Sequence, residues 1–232
     1  MKISKLTILS SIFALGILAS CGKEGCTDPS APNYNPDATK DDGSCQEAAN
    51  EYLLSGTLSE DKTLDAANIW TLQGRVIIPN GVTLTIPAGT IIKATAGTGA
   101  NASSLVVARG GKLNAEGTAS APIIMTSVSD DIAVGQTSGS SLTENVRGLW
   151  GGLLVLGNAP CSFSGDVSEL QIEGIPASET NGLYGGNDAA DNSGTMRYIS
   201  IRHGGAEIGE GNEINGLTLG GVGTGTTIDH IE

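Results

Sequence analysis

Between Cys26 and Cys45 the chain places Asn35, Asp37, Asp41 and Asp42. Hard oxygen donors of this kind suit calcium. The stretch lacks both the Asp-x-Asp-x-Asp-Gly alternation and the closing glutamate of an EF-hand, so a solvated acidic loop is the plainer use of the same residues. A second oxygen-rich run, residues 175–193, carries Glu179, Asn187, Asp188 and Asp191 together with Tyr184. Its carboxylates and carboxamides would hold calcium or sugar hydroxyls, and an exposed tyrosine would stack on a sugar ring. The alternative is again a solvated excursion. For acid–base chemistry the chain offers Arg197, Arg202, Glu207 and Asp229, with His203 and His230 as its two histidines. These stand on separate segments. One coil of chain would have to bring the histidines together, and the local sequence shows no further zinc ligands. Asp41-Asp42 and Asp130-Asp131 are adjacent loop residues that point apart, unlike a glycosidase pair. The glycine-rich corners lack the Lys-Ser/Thr and helix of a phosphate loop. No catalytic residue is assigned, no cofactor is required, and binding or structural display is preferred to an enzyme.

The segments around these residues set their context. Lys2 and Lys5 precede an apolar run over residues 6–18, too short to span a bilayer comfortably, and small residues follow. This is the pattern of a secretory signal peptide over residues 1–20. Leu18-Ala19-Ser20-Cys21 resembles the lipobox of bacterial lipoproteins. The resemblance implies that Cys21 is acylated and becomes the first residue of an anchor over residues 21–25, with each buried methylene contributing ~0.8 kcal/mol. Lys23-Glu24 looks like a short form of the signals that send outer-membrane lipoproteins to the outer leaflet, so the expected location is the cell surface. With Cys21 lipidated and Cys161 alone, the default bridge in an oxidising compartment is Cys26–Cys45. A stapled tether over residues 26–45 and a linker over 46–51 follow.

Composition bounds the remainder. The formal charge of -13 becomes -15 once Lys2 and Lys5 are removed with the signal, which suits neither nucleic acid nor anionic head groups. The expected partners are the membrane, through lipid, and a glycan or an outer-membrane protein. With 34 glycines, 3% aromatic and 16% charged residues, and many Thr, Ser and Asn, the chain favours strands and turns over helices. Val82-Thr83-Leu84-Thr85-Ile86 alternates as a strand with one buried face. Similar runs recur at 75–78, 90–93, 105–107, 123–126, 153–156, 170–172, 199–201, 217–219 and 228–231, separated by turn words such as Pro79-Asn80-Gly81 and Pro87-Ala88-Gly89. Leu84 to Leu105 is 21 residues (105 minus 84) and Leu105 to Ile124 is 19 (124 minus 105), a period that predicts a solenoid of β coils. A β-sandwich is the rival all-β arrangement.

"NGVTLTIPAGTIIK", "LVVARGGKLNAEGTASAPIIMTS", "RGLWGGLLVLGNAP" and "SGTMRYISIRHGG" resemble the right-handed parallel β-helix lipoproteins of Gram-negative surfaces, with a pectate-lyase-like fold, over residues 52–232. The resemblance implies that Leu84, Ile86, Leu105, Val107, Leu113, Ile199, Ile201, Leu217 and Leu219 stack inside, while Thr83, Thr85, Ser200 and Thr218 face water. Enzymes of this fold that cleave polysaccharide are the contrasting class, and a component of an uptake complex is a third. "NYNPDATKDDGSC" is similar to a repeat of bacterial surface proteins. Residues 127–146 and 175–193 break the rhythm and are expected to leave the coil as loops on one side. Trp150 is expected to be a packing landmark. The last strand ends without a polar cap, so the chain is expected to continue in a longer protein.

Overall fold

The computed structural model describes residues 22–27, 33–45, 51–97, 99, 102–209, 212–213 and 215–232. The expected signal peptide, Cys21 and the linker residues 46–50 lie outside them. The chain divides into two compact units, Met1–Asn50 and Glu51–Glu232.

The described part of the first unit pairs Glu24–Gly25 (β1) in parallel with Lys40–Asp41 (β2). Lys23 to Asp37 (2.8 Å) and Lys40 to Glu24 (2.5 Å) are its ion pairs, all four side chains being well exposed. The expected Cys26–Cys45 disulfide is present, closing 19 residues of sequence, with Cys26 buried. A unit with so little apolar surface leans on such a staple.

The second unit is a parallel β-helix. Its strands are Leu53–Thr57 (β3), Lys62–Thr63 (β4), Ile69–Ile78 (β5), Thr83–Pro87 (β6), Ile91–Ala94 (β7), Ser104–Val107 (β8), Lys112–Glu116 (β9), Ile123–Ser127 (β10), Gly152–Leu156 (β11), Gly194–Ile201 (β14), Leu217–Gly220 (β17) and Thr227–Ile231 (β18). They form one 12-stranded sheet in which every pairing is parallel, which excludes the sandwich. Two short antiparallel pairs lie outside it: Leu170–Gln171 (β12) with Leu183–Tyr184 (β13), and Glu207–Gly209 (β15) with Asn212–Glu213 (β16). The run at 170–172 is therefore a hairpin arm rather than a coil strand.

The pairings wind the chain around three faces. The first stacks residues 53–55, 69–72, 91–94, 123–127 and 199–201. The second stacks Thr57, residues 75–78, 104–107, 152–156 and 217–220. The third stacks residues 62–63, 83–87, 112–116, 194–197 and 227–229, and β18 then turns at His230 so that Ile231 pairs with Ile199 on the first face. Strand β5 turns from the first face to the second at Gly74, whose φ of 64° a side chain would resist. Strand β14 makes the turn from the third face to the first at Tyr198.

This winding corrects the period. Leu84 pairs with Leu113, 29 residues on (113 minus 84), and Ile69 with Ile91, 22 on (91 minus 69). The interval from Leu84 to Leu105 instead carries the chain from the third face to the second. Strands of similar length recurring three times per turn mimic a shorter repeat, because periodicity records strand spacing and not strand partners.

Inward side chains stack rung on rung: Val76, Leu105 and Leu153; Ile78, Val107 and Val155; Leu84 and Leu113; Ile86, Ala115 and Met196. All lie in one buried cluster with Trp70, Ile92 and Ile199. Each large apolar side chain so buried contributes about 1.5–3 kcal/mol. At one end, Tyr52 meets the Trp70 ring edge-on at 5.4 Å and the Lys62 ammonium lies 5.1 Å above it. Leu219, expected inside, is 49% exposed because, among the described strands, its rung has a neighbour on one side only.

The excursions do not lie on one side. Residues 128–151 fold over the outside of the first face, where Ile91 and Ile124 bury against Ile132. Residues 157–193 fold over the second, where Ile77, Val106, Leu154 and Leu156 bury against Ile175, with Ile172 and Tyr184 at the margin. That is why Ser200 is buried and Thr218 half-buried instead of facing water. Both point outward, as their alternation requires, but meet protein. Among the described residues no helix is long and apolar enough to cross a membrane.

Candidate functional site

With two faces covered by their own excursions, the third presents its outward side chains. One row runs Thr63, Thr85, Asn114, Thr195, Thr227, each the register partner of the next. Strands lie ~4.8 Å apart, so this is a regular ladder of hydroxyl and carboxamide groups. All are half-buried or exposed, and none of their side chains is hydrogen-bonded to another described residue. β-Branched threonine and the flat pleat hold them with little freedom to lose on binding.

The adjoining row runs Pro87, Glu116, Arg197, Asp229. Its last three members are exposed, and Arg197 forms no ion pair with either neighbour. The row ends at a corner of unusual geometry. Tyr198 and His230 both have left-handed backbones, φ 49° and 52°, and their rings stack at 4.2 Å with an interplanar angle of 18°. His230 Nδ1 lies 2.7 Å from Asp229 Oδ1. Positive φ at such residues costs about 1–3 kcal/mol and persists where the surroundings fix it. Here the pairs Arg197 with Asp229 and Ile199 with Ile231 clamp both sides of the turn. A cleft of about 330 Å³ opens beside the stack, lined by Thr118, Pro122, Ser200 and the two rings.

The model of one family, the pectate-lyase-like β-helix domain, matches residues 56–232. The chain belongs to that family. Searches of curated proteins and of solved structures gave no match.

In this member of the β-helix family, most side chains singled out from the second excursion serve packing. Glu179 Oε2 accepts from Arg75 Nη1 at 2.7 Å, tying the excursion to the second face. Tyr184 is half-buried, meets Phe163 edge-on at 5.4 Å and packs on Gly220, so it is no free sugar platform. Asp191 is buried: Oδ1 accepts the Asn158 N–H (2.9 Å) and Oδ2 the Ser193 hydroxyl (3.2 Å). Asn187 and Asp188 are exposed, and Asp188 Oδ1 accepts the Ala190 N–H.

In the N-terminal unit, Asp37 is engaged by Lys23, and Asn35, Asp41 and Asp42 each accept a backbone N–H two residues on. The Ser44 hydroxyl and N–H hold the Asp42 carboxyl below its ordinary range. Among the described residues no three His, Cys, Asp or Glu side chains are grouped to hold a metal ion.

The histidines occupy different corners. His203, with φ 59°, follows the first face, and its Nδ1 lies 2.6 Å from the Val146 carbonyl; His230 precedes that face. Arg202 donates to Ser200 Oγ and to the Thr137 carbonyl, 2.8 Å each, pinning the first excursion. Trp150 is fully buried and donates to the Arg202 carbonyl, the packing role expected of it. Asp130 accepts from Thr126 and Ile132, and Asp131 accepts from Ser140 and Ser141, but contrary to expectation the adjacent carboxylates do not point apart: an Oδ1 atom of each lies against Gly139. The side chain of Glu207 lies outside the described residues. Sequence reading reached Thr85, Arg197 and Asp229 singly and missed Thr63, Asn114, Glu116, Thr195 and Thr227. Their signal was alternation, which gives the outward face of a strand but not the strand beside it.

Proposed function

We propose that the chain is a lipid-anchored surface protein of the outer membrane whose β-helix binds a glycan along its third face without catalysis. The observation that carries the reading is the ladder Thr63, Thr85, Asn114, Thr195, Thr227, unpartnered within the described residues on the one face that neither large excursion covers. A glycan offers hydroxyls that both donate and accept, and this row answers in kind. The acidic chain disfavours polyanions. The segment Leu18-Ala19-Ser20-Cys21 supports the anchor, and Lys23-Glu24 the outer leaflet. No cofactor is required. Calcium at Asn35, Asp37, Asp41 and Asp42 would first have to displace Lys23 from Asp37, and calorimetry reads whether it does.

The test is retention of the full chain on gels containing neutral polysaccharides. Replacing Asn114 and Thr195 by alanine removes two hydrogen-bonding groups, each contributing about 0.5–1.5 kcal/mol, so binding should weaken about 5- to 150-fold. Unchanged retention would refute the face, and co-purification of an outer-membrane protein without any glycan binding would favour the protein-partner alternative.

A second reading, a polysaccharide-cleaving enzyme, is favoured by one observation: Arg197 stands in register between Glu116 and Asp229 in a pectate-lyase-like fold. Unsaturated products from pectin, alginate or glycosaminoglycans, lost on Arg197→Ala, would establish it in place of the first.

A further inference from the structure

We propose that the corner between the second and third faces holds a separate site for one neutral sugar residue. The inference rests on the glycan reading but uses none of the ladder residues. A pocket of about 380 Å³ is lined there by Asn80, Ala108, Arg109, Asn158, Thr180 and Asn181. Ile78, Val107 and Val155 are register partners, and Asn80, Arg109 and Asn158 follow them by two or three residues. Three successive coils therefore deliver these side chains to one corner.

The walls are fixed before any ligand arrives. The Asn158 N–H is held by buried Asp191, and its carbonyl accepts the Asp188 N–H at 3.0 Å. Arg109 donates to the Gly185 carbonyl at 3.1 Å and pairs with Glu169. Thr180 and Asn181 sit on a 3₁₀ turn, Thr180–Gly182. Gln171 Nε2 secures the chain before that turn by donating to the carbonyls of Ile175, Pro176 and Glu179 at 3.0–3.2 Å, and the Arg75 to Glu179 ion pair adds a second tie. Such rigidity lowers the ordering cost of binding.

The chemistry of the lining selects the ligand. Each of the three carboxamides supplies an acceptor and two N–H donors, and Thr180 supplies a hydroxyl. None of these four side chains is hydrogen-bonded to another described residue. Convergent groups of both kinds match adjacent sugar hydroxyls. Glu169 already answers the Arg109 charge, which leaves no free cation among the described lining residues for a carboxylate or phosphate. Buried Ala108 supplies a small apolar floor for the ring.

The experiment is calorimetric titration of the full chain with the methyl glycosides of glucose, galactose, mannose and N-acetylglucosamine, and with galacturonate as the charged comparator. At least one neutral glycoside should bind, at least tenfold more tightly than galacturonate. Asn158→Ala and Asn181→Ala should each weaken it tenfold or more; the second lies on a surface turn, and an unaltered unfolding midpoint shows that its fold is intact. A control variant, Glu173→Ala, exposed and lining neither the pocket nor the ladder, should bind the glycoside as wild type does. Absence of binding by every neutral glycoside, equal binding of galacturonate, or wild-type affinity in both pocket variants would overturn the site. Failure of the ladder alone would show instead as polymer retention indifferent to Asn114 and Thr195 while the glycoside still binds.

Discussion

Leu154→Ala tests whether the second excursion forms a core outside the coil. Leu154 points outward from β11, and on a bare coil truncating such a side chain would cost no more than the ~0.5 kcal/mol usual for surface changes. In the structure it is 0% exposed, registered beside Val106 and clustered with Ile77, Leu156 and Ile175. Truncation of a leucine so enclosed costs about 2–5 kcal/mol, the transfer of its methyl groups plus the cavity left behind. With a urea slope of about 2 kcal/mol/M, the full chain should unfold at a midpoint lower by about 1–2.5 M. Thr195→Ala, outward on the uncovered third face, supplies the control and should shift the midpoint by less than ~0.3 M. Solenoids can unfold in stages, so hydrogen exchange should be followed together with the urea transition, and residues 157–193 should lose protection first in Leu154→Ala. Equal and small shifts for the two variants would refute the covered face.

Other outcomes follow from the same geometry. The Ser140 hydroxyl and N–H and the Ser141 N–H lower the Asp131 pKa to about 2. A depressed pKa stabilises the folded loop fully above the ordinary value of 3.8, and the contribution is lost as pH falls toward about 2; proteolysis by pepsin should open residues 128–148 across that window, and Asp131→Asn should open them more readily at every higher pH as well. Reducing Cys26–Cys45 should remove about 3 kcal/mol from the first unit, seen as rapid cleavage within residues 22–45, while the sheet signal of residues 51–232 persists, since the two are separate compact units. Gly194→Val should lower soluble yield and the unfolding midpoint, because a Cβ there would lie 2.2 Å from the Leu113 carbonyl oxygen at φ 108°. On the proposed lipoprotein reading, mass spectrometry of the protein isolated from its native cells should find acyl chains on Cys21, and protease shaving of intact cells should remove the β-helix unit.

The strands were legible because alternation is a local property: Thr83 to Ile86 shows its buried and open sides without reference to any neighbour. Glycine and proline corners marked where strands ended for the same reason. Partners were not legible. Leu84 meets Leu113 and Thr85 meets Asn114 only because the intervening coil has its particular length, which later excursions stretch until Leu113 pairs with Gly194. The covered faces were half visible, in the apolar residues at both inward and outward positions of Leu153 to Leu156, a pattern that belongs to a strand buried on two sides. Tyr184 and Asp191 misled for the opposite reason. A polar or aromatic residue in a long loop looks available until the loop is seen folded onto Gly220, Phe163 and Asn158.

The most direct test of the third face as the binding surface is a crystal structure of the full chain with a neutral oligosaccharide that it retains. Sugar hydroxyls should lie within hydrogen-bonding distance of Thr85, Asn114 and Thr195, with the chain of sugars running across successive rungs. An oligosaccharide seated instead on the outer surface of residues 128–151 or 157–193, with the ladder untouched, would contradict it.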